Sequence, residues 1–244
     1  MNYTFISQFI TQQDIIGLFI SYTYAILLLL FGEILHRFFG IKQDITRKII
    51  HVSGGMWVFA ILLLFKNWQI GIIPFATFIV INYILYRYRF IKAMDQENSS
   101  PGTVYFAISI TLLFGLLWRP DGIMDNVNIA VAGVMSMTWG DAIAALIGKN
   151  FGKHKYQVGS STRSWEGSVA MFLVSTTVIF LVLLLLPGSI FNPLGISIGI
   201  NKAIFTAIIS GICATLIEGI SPNGTDNLGV PLVTSGIIWV IMKF

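Results

Sequence analysis

The segment from Thr138 to Gly167, TWGDAIAALIGKNFGKHKYQVGSSTRSWEG, places a carboxylate in an apolar run and then continues into a basic stretch. The carboxylate is Asp141, and an ionisable group at the centre of a membrane helix costs roughly 3 kcal/mol, so such a residue is a functional candidate. The basic side chains that follow it are Lys149, Lys153, Lys155 and Arg163. Together with the hydroxyls of Ser160, Ser161, Thr162 and Ser164, these cations indicate a site for phosphates.

Helical spacing relates this acid to the basic stretch. Asp141 precedes Lys149 by eight residues, which is about 12 Å at the rise of an α-helix. Small residues continue the face of the acid at Ala145, Gly148 and Gly152 if the helix extends that far, and such a face admits a neighbouring helix or a ligand. A packing helix followed by a basic loop is the alternative. A helix that only packs against its neighbours needs no carboxylate. Glu166, just inside the next apolar run, is a second acid of the same kind.

A second cluster is Arg47-Lys48-Ile49-Ile50-His51. The spacings of three and four residues place both cations on the same helix face as the imidazole. Two permanent charges beside a titratable ring suit an anionic ligand. The alternative is that the two cations set membrane topology while His51 is a polar residue between helices. The residues by themselves leave these two interpretations equal.

A third cluster joins Glu218 to Asp226 and Asn227. Three oxygen-bearing side chains near one membrane face suit Mg²⁺, which commonly bridges carboxylates and substrate phosphates. A simple turn over the same residues, with Glu218 pairing locally, is the alternative. Glu33 is left out of the site because Arg37, four residues later, offers it a helical ion pair.

The composition requires membrane helices to position these clusters. Hydrophobic residues make up 55% of the chain and charged residues 11%, whereas a soluble domain has about 25% charged residues. The mean hydropathy is +0.80. These values exclude an ordinary soluble domain and predict an all-α, polytopic integral membrane bundle. The 244 residues leave room for one membrane domain, 1–244, and for no separate soluble domain.

We predict about eight transmembrane helices, within a range of seven to nine, from the apolar runs. The first is interpreted as a retained anchor, because a cleavable signal peptide needs a basic residue before its apolar core. The expected spans are Asp14 to Arg37, Ile49 to Phe65, Trp68 to Tyr86, Thr103 to Trp118, Val127 to Ile147, Trp165 to Leu186, Lys202 to Ile220 and Leu228 to Met242.

The basic residues predict the orientation, because they bias short loops to the cytoplasm. Eleven of them fall on one side, namely Arg37, Lys42, Arg47, Lys48, Arg87, Arg89, Lys92, Lys149, Lys153, Lys155 and Arg163. The other side holds four, namely Lys66, Arg119, Lys202 and Lys243. We therefore expect both termini to be non-cytoplasmic and all three polar clusters to share the cytoplasmic face.

Familiar phosphate motifs are absent: the sequence has no GxxxxGK[ST] loop, no protein-kinase HRD or DFG and no HExxH pair. Other motifs carry a resemblance, and they are Arg47-Lys48-x-x-His51, Pro101-Gly102-Thr103-Val104-Tyr105, Gly140-Asp141-Ala142 through Gly148-Lys149, Phe151-Gly152-Lys153, Ser164-x-Glu166-Gly167-Ser168, and Glu218 with Asp226-Asn227. In this order they resemble the CTP-dependent lipid kinases, which include dolichol, phytol and other polyprenol kinases and the yeast-type diacylglycerol kinase. The resemblance runs from about Arg47 to Val230, and the compact length resembles the phytol-kinase branch.

This resemblance implies transfer of the γ-phosphoryl of CTP to the hydroxyl of a membrane lipid alcohol, with Mg²⁺ or another divalent cation. An isoprenoid alcohol such as phytol, farnesol, geranylgeraniol or a polyprenol is the expected acceptor. The implied nucleotide-binding residues are Arg47, Lys48, Lys149, Lys153, Lys155, Arg163, Ser164, Glu166 and Gly167. Asp141 would hold the metal or accept the alcohol proton, and Glu218 and Asp226 would complete the metal site. His51 is the competing base, because imidazole titrates near neutrality.

Three other functions stay open at this stage. They are a CTP-dependent diacylglycerol kinase, a cytidylyltransferase that forms a CDP-lipid, and an ion-coupled transporter using Asp141, Glu166 and Glu218. Clustering of the polar groups on one face favours an enzyme over a transporter, whose path would place them at several depths. No nucleic-acid partner is expected.

Overall fold

The computed structural model describes residues 10–89, 91, 100–120, 125–159 and 161–243. Within these ranges the chain forms eight helices and one β-hairpin. The helices are α1 (Gln12–Arg37), α2 (Gln43–Leu64), α3 (Trp68–Tyr88), α4 (Gly102–Leu117), α5 (Val127–Phe151), α6 (Trp165–Leu185), α7 (Ile200–Ile220) and α8 (Asp226–Lys243). The strands β1 (Lys155–Val158) and β2 (Ser161–Ser164) lie between α5 and α6. Lys92, one of the eleven basic residues expected on one side, and Ser160, one of the expected hydroxyl donors, lie outside the described residues.

The expected all-α membrane bundle is confirmed. Six helices are long and apolar enough to cross a membrane, namely α1, α2, α3, α5, α6 and α7. The two remaining described helices, α4 and α8, are shorter or more polar. Helices are the expected solution here because a bilayer offers no water to backbone groups, which must bond within the segment. The chain is therefore an integral membrane protein.

Two helix bounds differ from the expected spans in a way that matters for the site. α2 begins at Gln43 rather than near Ile49, so Arg47, Lys48 and His51 all lie on its first turns. α5 continues through Gly148 to Phe151, beyond the expected end at Ile147. The expected spans are too short at both charged ends, because a span assigned from hydropathy ends at the first polar residues of the helix.

The stretch after α5, expected to be a basic loop, is instead an antiparallel hairpin. Its register pairs Lys155 with Ser164 and Val158 with Ser161. Tyr156 and Ser168 share a 2.7 Å hydrogen bond between their hydroxyls, which ties the hairpin to α6. Four-residue strands carry too little alternation to predict from sequence, and the tertiary contact stabilises them.

The centre of the bundle is α5. In its most apolar stretch 72% of the residues are buried, against 17–39% in the other five long apolar helices. Its closest neighbour is α6, and the approach needs glycine: a methyl group at Gly167 would lie 3.0 Å from the carbonyl oxygen of Ala144 and 3.4 Å from Cα of Gly148. The other helices that pack against α5 include α2, α4 and α8.

The polar connections meet at one end of the bundle. Arg163 in β2 donates a 2.9 Å hydrogen bond to the carbonyl of Ser221, after α7. Lys149, near the end of α5, pairs with Asp44 on the first turn of α2. Asn227 on α8 lies against Gly102 at the start of α4. The expectation that the three polar clusters share one end therefore holds in the structure.

The opposite end of the bundle is held by a buried carboxylate, Asp14, which is fully buried. It forms a capping box with Thr11 at the start of α1. It also accepts hydrogen bonds from the backbone N–H groups of Lys66 (2.9 Å) and Asn67 (3.2 Å) and from the Asn67 side chain (2.7 Å). One carboxylate thus joins the start of α1 to the start of α3.

We expect Asp14→Ala to lower the free energy of unfolding by about 3 kcal/mol, because it leaves several buried donors without an acceptor. The measurement is thermal or denaturant unfolding of the purified protein in detergent. Glu33→Ala is the control, since it removes an ion pair with Arg37 in which the arginine is half-exposed and such pairs contribute about 0.5 kcal/mol. Equal stability of the two variants would contradict the role given to Asp14.

Candidate active site

A cavity of about 340 Å³ opens among the first four helices and reaches the polar end of the bundle. Its lining changes in character along its length. The polar side chains lining it include Arg47, Lys48, His51, Asn82, Ser100, Thr103, Asp141, Arg163, Asp226 and Asn227. The apolar part is lined by residues that include Leu28, Leu29, Trp57, Phe75, Phe78, Ile81, Leu85 and Ile110. Such a cavity suits a molecule with a polar head and a hydrocarbon body.

The acid of α5 and the cation of α2 form an ion pair within this cavity. Lys48 Nζ lies 2.5 Å from Asp141 Oδ2, and both side chains are mostly buried, with 17% and 16% of their surface exposed. The helices from which they come are distant in sequence, so the pair fixes α2 beside α5. Unpaired, either charge would face a large desolvation cost.

His51 adjoins this pair but is not bonded to it. Its Nε2 lies 3.9 Å from Asp141 Oδ2, and the ring packs against Phe106 with centroids 4.6 Å apart. The ring makes a hydrogen bond to the backbone of Met137, whereas Nε2 is buried with no hydrogen-bond partner among the described residues. The N–H of Met137 serves α5, so Nδ1–H donates to its carbonyl, and Nε2 carries the free lone pair.

A second ionic group is centred on Arg163. Its guanidinium pairs with Glu218 on α7 and, at 3.1 Å, with Asp226 Oδ2 at the start of α8. The three side chains are largely buried. Asp226 Oδ1 accepts further hydrogen bonds from the backbone (2.9 Å) and side chain (3.1 Å) of Asn227. The hairpin thereby places Arg163 between the end of α7 and the start of α8.

The predicted metal ligands are only partly brought together. Asp141 and Asp226 both line the cavity, whereas Glu218 pairs with Arg163 and is not among the lining residues. Across the described ranges, no three His, Cys, Asp or Glu side chains are grouped to hold a metal ion. Mg²⁺ in phosphoryl-transfer sites needs only one or two carboxylates and takes its other ligands from phosphate and water. The pair Asp141 and Asp226 fits that lesser requirement.

Most of the predicted phosphate-binding lysines lie outside the cavity. Lys149 pairs with Asp44, and Lys153 and Lys155 are exposed on and beside the hairpin. Glu166 accepts a 2.8 Å hydrogen bond from Nδ1 of the exposed His154, so it holds the base of the hairpin. Of the four cations in this segment, the structure brings only Arg163 to the cavity lining.

Ser164 and Gly167 serve the junction between the hairpin and α6. Ser164 is the N-cap of α6, and its hydroxyl accepts a 3.1 Å hydrogen bond from the Gly167 N–H. Such caps contribute about 1 kcal/mol. Gly167 also lies in the close contact with α5. These two residues therefore position Arg163, and they do not line the cavity.

Several lining residues were not singled out from the sequence. Asn82 on α3 donates a 3.1 Å hydrogen bond to the carbonyl of Thr103, joining α3 to α4 at the cavity. A polar residue inside an apolar helix was the available signal for it. Tyr24 and Trp57, whose rings stack at 3.9 Å, carry no such signal, because aromatic residues are common throughout membrane helices.

The chain is similar over most of its length to known lipid kinases. It is 31% identical over 230 residues to a phytol kinase of Synechocystis sp., covering 92% of this chain and 90% of that protein. It is 26% identical over 217 residues to a probable chloroplastic phytol kinase of Triticum aestivum, covering 82% and 68%. It is 25% identical over 223 residues to the CTP-dependent diacylglycerol kinase 1 of Schizosaccharomyces pombe, covering 82% and 94%. No protein-family model and no solved structure matches the chain.

We expect the arginine in the cavity to matter far more than the exposed lysines. Arg163→Ala leaves Glu218 and Asp226 buried without their cation, so we expect at least a hundredfold loss of kcat/KM for the phosphoryl donor. Lys153→Ala removes an exposed charge of the same sign and should cost less than fivefold. Steady-state kinetics of the two purified variants provides the comparison. If Lys153→Ala lost as much kcat/KM as Arg163→Ala, the prediction would be wrong, and Lys153 would contact the donor directly.

Proposed function

The chain belongs to the phytol kinase family and is a membrane kinase with an alcohol acceptor, and from this premise we propose its donor, its acceptor and its mechanism. The donor is CTP, and the acceptor is an isoprenoid alcohol whose hydrocarbon body stays among the helices. The observation that carries the proposal is the cavity itself, in which charged side chains surround one end and apolar side chains the remainder. The product is the alcohol monophosphate together with CDP.

His51 is the proton acceptor in this mechanism. His51 lines the cavity, and its buried Nε2 lone pair has no partner within the described residues, so we assign this lone pair to the alcohol hydroxyl. As the hydroxyl oxygen bonds to the γ-phosphorus, the bond to the β–γ bridging oxygen breaks and the hydroxyl proton moves to Nε2. The hydrogen bond to Met137 keeps the ring in the orientation that this step requires.

Asp141, the other candidate for the base, has a different role in this mechanism. Its carboxylate is already bonded to Lys48, so it is a poor proton acceptor while that pair exists. We propose that it holds the Lys48 ammonium at the head of the cavity, where the phosphates bind. Asp141 therefore acts on the phosphates, and His51 acts on the alcohol.

The local charge balance supports a divalent cation. Arg47, Lys48 and Arg163 bring three positive charges to the site, and Asp141, Glu218 and Asp226 bring three negative ones. These six charges cancel, so this group of side chains has no net positive charge to offer a triphosphate. A divalent cation on Asp141 and Asp226 would neutralise charge on the phosphates during the transfer. The contribution of Lys149, Lys153 and Lys155 to phosphate binding stays a prediction.

Three broader features complete the proposal. The diacylglycerol kinase relative is CTP-dependent by name, which supports CTP as the donor. The excess of basic residues at the site end supports a cytoplasmic position for that end and non-cytoplasmic termini. All described helices contribute to a single bundle, which supports one domain over residues 1–244.

A labelling experiment tests the donor and the acceptor together. The purified protein in lipid vesicles is given Mg²⁺, CTP labelled at either the γ or the α phosphate, and phytol, farnesol or diacylglycerol. We expect the γ label, and not the α label, to enter phytol or farnesol, because the phosphoryl group is transferred and CDP leaves. Entry of the α label would identify a cytidylyltransferase. Labelling of diacylglycerol alone would overturn the isoprenoid acceptor.

The proposed base has its own test. We expect His51→Ala to lower kcat by a factor of about 10² to 10⁴, the usual range for a lost general base, and added imidazole to restore part of that loss. His36→Ala is the matched control, because His36 bonds the carbonyl of Ile41 and lies outside the cavity lining. If His51→Ala kept wild-type kcat, or if imidazole restored nothing, His51 would not be the base.

A further inference from the structure

Gly54 on α2 leaves an opening in the lining of the cavity. A Cβ added to this glycine would meet no heavy atom of the described residues within 4 Å, although Gly54 lines the cavity. Its neighbour Gly55 is the opposite case, because a Cβ there would overlap Thr138 on α5. The two glycines therefore serve different purposes: Gly55 allows helices to touch, and Gly54 keeps space free.

Gly54 occupies a defined depth below the proposed reaction centre. On α2, His51, Gly54 and Trp57 follow one another at three-residue intervals, and all three line the cavity. At the rise of an α-helix, Gly54 lies about 4.5 Å and Trp57 about 9 Å along the axis from His51. The cavity-lining side of α2 therefore presents, in order, a base, an open space and an aromatic ring.

The aromatic ring is held rigidly. Trp57 stacks on Tyr24 of α1 with an interplanar angle of 11°, and the Tyr24 hydroxyl donates a 2.9 Å hydrogen bond to the carbonyl of Ser53. Both rings line the cavity. Because the stack joins α1 to α2, a ligand does not displace it easily. The free volume beside Gly54 is therefore the space open to a ligand on this side of α2.

The cavity volume of about 340 Å³ is at the low end for ligand sites, which span roughly 300 to 1,000 Å³. A site of this size has room for one hydrocarbon chain beside a polar head. Such a cavity can therefore distinguish alcohols by the size of the hydrocarbon groups next to their hydroxyl.

We propose that the acceptor's hydrocarbon chain passes over Gly54, and that the missing side chain at this position sets the bulk that the chain can have next to its hydroxyl. Gly54 is then a specificity-determining position for the alcohol. This inference rests on the proposed alcohol kinase activity and adds to it the path of the chain.

The test fills the space by steps, with Gly54→Ala and Gly54→Leu. We expect the KM for phytol to rise at least tenfold in Gly54→Leu and by a smaller factor in Gly54→Ala, while the KM for CTP changes less than twofold. Gly236→Leu on α8 is the matched control, because a Cβ there also meets nothing within 4 Å of it among the described residues and the position is outside the cavity lining. The control should keep both KM values.

Two results would overturn the inference. One is a wild-type KM for phytol in Gly54→Leu, which would place the chain elsewhere. The other is a parallel rise of both KM values, or a lower unfolding temperature in both Gly54 variants, which would make the glycine merely structural.

A binding readout separates this inference from the proposed activity. A photoreactive farnesol analogue should label the α2 peptide that contains Trp57 in the wild type and at least fivefold less in Gly54→Leu, whether or not phosphoryl transfer occurs. Equal labelling of the two proteins would remove the chain from this path. A wild type that labels as expected but phosphorylates no alcohol would overturn the kinase proposal and leave the chain path supported.

Discussion

The ion pair between Lys48 and Asp141 is the constraint on which the rest of the structure depends. A carboxylate on the most buried helix of a membrane bundle must find a cation at its own depth, because lipid provides neither water nor counterion. Among the described residues, the cation bonded to Asp141 comes from α2, so α2 packs beside α5 in one axial register. That register then sets the heights of His51 and of the cavity-lining face below it. A pairing driven by electrostatics thus places the groups proposed for the chemistry.

The ionic group of Arg163, Glu218 and Asp226 fixes the other half of the bundle in the same way. Arg163 carries the charge, but it comes from a short hairpin rather than a helix. Its reach depends on the Ser164 cap and on the close approach of α6 to α5 at Gly167. Residues with no chemistry of their own therefore decide where the arginine lies. With Glu218 and Asp226 bound to it, α7 and α8 are fixed at the same end as the Lys48 pair.

Stability and reactivity are divided between the two ends of the molecule. At the end opposite the site, Asp14 has its oxygens occupied by donors from two helix starts, which is typical of a structural carboxylate. At the site end, His51 Nε2 is buried without a partner among the described residues. A buried polar atom with no partner costs free energy, and a free lone pair at this position is what the proposed base needs. The apolar helices between these ends suit the hydrocarbon part of a lipid alcohol.

The sequence by itself determined the membrane class and the all-α architecture, and it indicated the polar residues that meet at one end of the bundle. These features depend on composition and on spacing along one helix, as in the pair of Glu33 and Arg37, and both can be read without knowing what lies opposite. Only the tertiary structure decided which cation meets which acid. Lys48 rather than Lys149 reaches Asp141 across 93 residues of chain, and Arg163 rather than Lys155 faces the cavity because strand register orients its side chain. The hairpin and the open face at Gly54 were not predicted for the same physical reason: each is defined by atoms contributed by other segments, and a local pattern contains no information about them.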